Sequence, residues 1–111
     1  MKNYYLKIKD KYIQEILLGN KKHEYRLATP ERQQIKVGDT LVLISNQDQN
    51  KFVKVTVKRK EIYDSWERAL SKYWEQDFSN LYTSLLEAAH ECYKFYPKTE
   101  VYKYGILVFE I

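Results

Sequence analysis

Residues 52–60, Phe-Val-Lys-Val-Thr-Val-Lys-Arg-Lys, alternate so regularly between apolar and polar that a β-strand is the conformation that sorts them. In a strand, Val53, Val55 and Val57 share one face with Arg59, while Phe52, Lys54, Thr56 and Lys58 share the other. The valine face has to be dry. The strand therefore belongs to a sheet covered on one side and wet on the other. A second segment repeats the pattern, with Tyr4, Leu6 and Ile8 on one side and Tyr5, Lys7 and Lys9 on the other. Thr40–Ile44 is continuously apolar and reads as an interior strand, joined to 52–60 as a hairpin through the polar turn Ser45-Asn-Gln-Asp-Gln-Asn50. Tyr104–Ile111 is also near-continuously apolar. With a further strand over 23–28, the strands at 4–9, 23–28, 40–45, 52–60 and 104–111 are expected to form one strongly curved sheet or barrel.

Three stretches switch to helical spacing. Tyr12, Ile13, Ile16 and Leu17 do so after Asp10 as N-cap, and Trp66, Leu70, Tyr73 and Trp74 after Asp64 or Ser65. Leu81, Leu85, Ala88, Ala89, Cys92 and Tyr96 follow Ser79 or Asn80, and Pro97 ends that helix. Residues 28–34 read as a polar loop broken by Pro30. The expectation is one α+β domain over residues 1–111 with peripheral helices.

Several function classes fall away. No apolar run approaches the ~20 residues of a membrane helix, and the N-terminus lacks the apolar core of a secretory leader. One cysteine, Cys92, cannot form an internal disulfide and falls on an apolar helix face, where a buried structural thiol is expected. These features favour the cytoplasm. His90, near Glu87 and Glu91, has no partner at metal-ligand spacing, and no phosphate loop, zinc motif or serine triad is present; no metal and no cofactor are expected. Charge is uneven. Residues 1–60 carry 14 Lys/Arg against 6 Asp/Glu, and residues 61–111 carry 5 against 9, giving +8 and −4. Such a division suggests one face that attracts anions, although lysine-rich strands that merely solubilise a sheet would give the same count. Eleven tyrosines suit either a half-wet interior or base stacking.

The chemistry concentrates in Gly19-Asn-Lys21-Lys22-His23-Glu24-Tyr25-Arg26. Gly19 directly follows an apolar-periodic segment and stops the helix, because it enters the left-handed region without a Cβ clash. In the strand that follows, Glu24 and Arg26 share one face, and His23, Tyr25 and Leu27 the other. Lys21 sits close enough in the turn to join Glu24 and Arg26. A lysine beside a guanidinium has a reason to lose its proton, and Glu24 opposes that by pairing with it. An exposed ion pair in a surface turn would leave the same pattern. Lys22, Tyr25, Asp39 and Arg59 are further candidates; Arg59 closes the valine face either as a rim cation or as a snorkelling surface residue.

Gly19-x-Lys21-x-x-Glu24-x-Arg26 resembles the G-x-K-x-x-E-x-R signature of the ASCH domain family. The flanks agree: Lys36-Val37-Gly38-Asp39 enters an apolar strand, Phe95-Tyr96-Pro97 comes late, and Tyr104-Gly105-Ile-Leu-Val-Phe109 closes the chain. The resemblance implies a PUA-like small mixed β-barrel and a link to RNA. With that link, the expected function is binding of RNA or a nucleotide-like ligand in a cleft beside Lys21, Glu24 and Arg26, with Lys22, Tyr25 and Arg59 as further ligand-binding candidates. A second implication is hydrolysis, by a ribonuclease or by an amidohydrolase acting on a modified nucleoside such as acetylcytidine. In that case Lys21 and Glu24 would be catalytic, with Glu61, and after it Asp64, as a further carboxylate. Those amidohydrolases place a threonine nucleophile where this chain has Glu24, so the carry-over breaks at that position. A module that binds another protein and no ligand is the third class.

Overall fold

A computed structural model describes residues 1–111. Its strands are β1 (Asn3–Ile8), β2 (His23–Leu27), β3 (Thr40–Ser45), β4 (Phe52–Thr56), β5 (Arg59–Tyr63) and β6 (Ile106–Glu110). The helices are α1 (Asp10–Leu17), α2 (Pro30–Gln33), α3 (Trp66–Ser71), α4 (Trp74–Asp77), α5 (Leu85–Phe95) and α6 (Lys98–Tyr104). This is a mixed α+β fold.

The strand expected over 52–60 is bent rather than straight. Val57 N still donates to Asp39 O (2.9 Å), while the next amide, Lys58 N, donates to Glu110 O (2.7 Å). Two consecutive amides thus bond to different sheets, and the chain passes from one to the other at this point. The single sheet expected from the strand pattern is divided accordingly. One sheet runs β1-β3-β4, with β1 parallel to β3, and the other runs β2-β6-β5, all antiparallel.

β6 is central in the second sheet and is covered on both faces, which explains its unbroken apolar run. Leu107 and Phe109 join Ile8, Leu41, Leu43 and Ile13 of α1 in the core between the sheets. Ile106 and Val108 join Tyr25, Trp66, Leu70, Ala88 and Val101 beneath the helices. Phe109 is fully buried; burying a side chain of that size contributes up to about 3 kcal/mol.

Local details depart from expectation for identifiable reasons. Lys9, not Asp10, is the N-cap of α1; Asp10 instead accepts from Ser45 Oγ and Lys51 Nζ. Pro30 does not break a loop but opens α2 at its first position, where its missing N–H is unneeded, and Thr29 Oγ1 caps it. The cap of α5 is Ser84 rather than Ser79 or Asn80. The helical stretch from Trp66 is split into α3 and α4, and Lys98–Tyr104 forms α6.

Gly105 separates α6 from β6 at φ 87°, and a Cβ there would come within 2.9 Å of Tyr63 O. Gly19, at φ 80°, ends α1 as its position implies and turns the chain toward β2. No helix is long and apolar enough to cross a membrane.

Candidate functional site

The two sheets are joined on one side by the β4–β5 bend. On the other side lie β1 and β2, each the outermost strand of its sheet. Arg26 crosses this seam, its Nη2 donating to Lys7 O at 2.7 Å. A cleft of about 210 Å³ opens beside it, bounded by Lys7, Ile8 and Lys9 of the β1 end, Tyr12 of α1, Lys21, and Glu24, Tyr25 and Arg26 of β2. Trp66, Phe78, Tyr82, Cys92, Phe95 and Tyr96 complete its wall.

Register explains how β2 presents its side chains. Glu24 pairs with Phe109 and Arg26 with Leu107, so both polar residues project on the side of the inter-sheet core. Glu24 is buried, with Oε1 accepting from Tyr25 N (3.1 Å) and lying 3.5 Å from Arg26 Nε. Glu24 Oε2 is buried with no partner. An unpaired buried carboxylate oxygen is expensive, so this atom has a use for a donor.

Lys21 is 3 % exposed. Its Nζ donates to His23 O and lies within 4.8 Å of the Tyr25 ring centre, 5.2 Å of Phe78 and 5.5 Å of Tyr12. The ammonium thus has one acceptor and three ring faces for three donors. Burial lowers its pKa below the ordinary lysine value, against the pull of the Glu24 and Asp77 charges. Burial also pushes the Cys92 thiol up to about 12, which leaves it protonated and unreactive at neutral pH.

Behind the cleft, Asp77 anchors β2. It accepts from Lys22 N, His23 Nδ1 and Tyr25 Oη, each at 2.7 Å. Burial disfavours its charge, but these bonds and the nearby Lys21 outweigh that and hold its pKa below the ordinary value. His23 stacks on Tyr73 at 3.6 Å. The Asp77 constellation was not foreseeable from spacing, because Asp77 lies 54 residues from His23 in a segment that reads as a polar turn.

Lys21, Glu24, Tyr25 and Arg26 are brought together at the cleft. The remaining candidates are elsewhere. Lys22 is exposed and contributes its amide to Asp77 rather than its ammonium to the cleft. Arg59 lies away from it and donates to Tyr73 Oη. Glu61 is held by Lys72 Nζ and Tyr73 Oη, each at 2.7 Å, and Asp64 pairs with Arg68 on the surface. Asp39 accepts the amides of Lys2 and Lys36 and so fastens the turn into β3. The aromatic wall carries no shared sequence signal: Tyr12 and Trp66 sit at apolar positions of their helices, Phe95 and Tyr96 at the end of α5, and Phe78 and Tyr82 in the segment between α4 and α5. No group of three His, Cys, Asp or Glu residues is placed to hold a metal ion.

The ASCH domain family model matches residues 6–110. Hypothetical protein PH0355 is 32 % identical in its crystal structure, with a TM-score of 0.85 over 99 % of this chain and 96 % of that one. Protein PF0455 from Pyrococcus furiosus is 28 % identical, with a TM-score of 0.69 over 97 % of this chain and 94 % of that one. A mutant ZmASCH protein from Zymomonas mobilis shares the fold at 11 % identity, with a TM-score of 0.68 over 97 % of this chain and 66 % of that one. No curated protein matches the chain.

Proposed function

The chain belongs to the ASCH domain family, and on that premise we propose that it binds RNA or a nucleotide-like ligand, with one base seated in the cleft between β1 and β2. On this reading the two sheets are the halves of an open PUA-like barrel, the seam is its mouth, and the protein works in the cytoplasm. The observation that carries the proposal is the pairing of polar atoms left open in an aromatic pocket. Glu24 Oε2 lacks a donor, and Lys21 has more donors than acceptors, among the rings of Tyr12, Tyr25 and Phe78. A base offers a π face to the rings, an exocyclic amine to the carboxylate and a ring carbonyl or nitrogen to the ammonium. Lys7 and Lys9 stand at the rim, where a phosphate would be. Isothermal titration with the four nucleoside monophosphates tests this. Bases with an exocyclic amine should bind best and UMP least. Lys21→Ala should weaken binding by about 1–3 kcal/mol, the size of a lost charge-assisted contact. Equal, negligible binding of all four, or no response to Lys21→Ala, would remove the proposal.

A hydrolytic reading has one observation in its favour, the lowered pKa of Lys21. A buried lysine that gives up its proton can act as a base beside Glu24. On that reading Lys21→Ala abolishes turnover of an RNA or modified nucleoside while much of the binding persists, which single-turnover assays separate from the binding reading.

A further inference from the structure

The β1-β3-β4 sheet has a second face, turned away from the core. Its register sets Tyr5, Val42 and Lys54 in one row and Lys7, Ile44 and Phe52 in the next. Tyr5 is 67 % exposed and Phe52 52 % exposed, and Lys7 and Lys54 are exposed beside them. Val42 and Ile44 form an apolar floor that belongs to neither core cluster. Asn3, Thr40 and Thr56 complete the three-stranded face, so it carries two lysines and no carboxylate. Lys58 follows just beyond the end of β4. Tyr5 and Phe52 thus share one strip of the sheet with Lys7 and Lys54, so apolar rings and positive charge lie side by side.

We propose that this face is a second binding site, for single-stranded RNA, onto which a strand runs from the cleft. Three features fix the occupant. The charge complements a phosphate backbone, with lysines and no acid to repel it. The aromatics stand on a flat sheet where bases can lie on their rings; Tyr5 and Phe52 are two strands apart, about 10 Å across, and two residues apart, about 7 Å along. The face is also continuous with the cleft, because Lys7 belongs to both: it lies in the row with Phe52, and its carbonyl receives Arg26 at the seam. A strand with one base in the cleft would therefore pass over Lys7 and lay its neighbours on Tyr5 and Phe52. The inference rests on the nucleotide-binding reading of the cleft and extends it from a single base to a polymer.

The experiment compares AMP with hexa-adenylate RNA on the whole protein and on the variants Tyr5→Ala/Phe52→Ala, Lys54→Gln and Lys21→Ala. The face residues are exposed, and unchanged circular dichroism and thermal midpoints establish that the variants fold. The unaltered protein should bind the hexamer at least about tenfold more tightly than AMP. Tyr5→Ala/Phe52→Ala should lower hexamer affinity about tenfold or more and leave AMP affinity unchanged. Lys54→Gln should make the log–log salt slope for the hexamer shallower by about 0.7, one phosphate contact. Equal binding of AMP and the hexamer, or a hexamer affinity untouched by Tyr5→Ala/Phe52→Ala, overturns the second site and leaves the cleft reading intact. Hexamer binding that depends on Tyr5 and Phe52 but not on Lys21 supports the face and removes the cleft reading. No binding of either ligand removes both. Sedimentation that turns a dimer into a monomer in Tyr5→Ala/Phe52→Ala, with RNA binding unaffected, assigns the face to a second copy of the chain and overturns the proposal.

Discussion

Asp77 has a larger structural task than any residue of the Gly19–Arg26 segment. Three donors from β2 and its approach converge on one carboxylate: Lys22 N, His23 Nδ1 and Tyr25 Oη. Removing its charge leaves buried donors less well matched. We expect Asp77→Asn to destabilise the fold at neutral pH by about 1.5–3 kcal/mol, measured by urea unfolding. The pH dependence follows from the direction of its shift. The folded pKa lies below the ordinary 3.8, so the stabilisation is complete above that value and is lost as pH falls through the folded pKa. The unaltered protein should therefore lose stability from about pH 4 downward, and Asp77→Asn should flatten that part of the curve. A variant with the same acid limb as the parent would show that other carboxylates carry the acid sensitivity. Lys21 behaves differently: burial lowers its pKa, so its charge disfavours the folded state at neutral pH.

At the scale of elements, the junction of α6 and β6 decides where β6 starts. Gly105 takes φ 87° and ψ −180°, a region essentially confined to glycine, and its carbonyl accepts from Ala28 N at 2.8 Å. A methyl group there would also press on Tyr63 O at 2.9 Å. Because β6 is the central strand, its displacement would move β2 and with it Glu24 and Arg26. We expect Gly105→Ala to lower stability by at least about 1–3 kcal/mol, read from chemical denaturation, and to weaken ligand binding in the folded fraction. A Gly105→Ala protein of unchanged stability would show that the junction can relax. The other handover, at Gly19, has nothing within 4 Å of where a Cβ would be, so only backbone strain opposes substitution there.

For the whole molecule the seam is the feature that matters. One side of the two-sheet assembly is closed by covalent chain at Val57–Lys58, the other by the Arg26 guanidinium on Lys7 O. Arg26→Lys keeps the charge but loses the planar fork that reaches Lys7 while lying beside Glu24. We expect amide exchange along β1 and β2 to quicken in Arg26→Lys, with the cleft binding less tightly and global stability little changed. Exchange rates equal to those of the parent would mean that the core alone holds the seam.

Much of this was legible along the chain because it depends on local period and local chemistry. Alternation in 4–9 and 52–60 placed Tyr5 and Lys7, and Phe52 and Lys54, on outward faces, and the G-x-K-x-x-E-x-R spacing marked Lys21, Glu24 and Arg26. Gly19 announced the end of α1 in the same way. What the chain could not reveal depends on contacts between distant segments. Strand pattern does not say which strands are neighbours, so the division into two sheets and the bend at Val57 rest on pairings between distant residues, such as Lys58 N with Glu110 O. Helical periodicity marks Tyr12, Trp66 and Tyr96 as apolar, but the same signal serves a core and a pocket wall. Only their assembly around the cleft decides which they are. Asp77 is the sharpest case. A carboxylate in a polar turn becomes the buried anchor of β2 because α4 packs against a strand 54 residues away, and burial and long-range pairing are properties that no stretch of sequence has by itself.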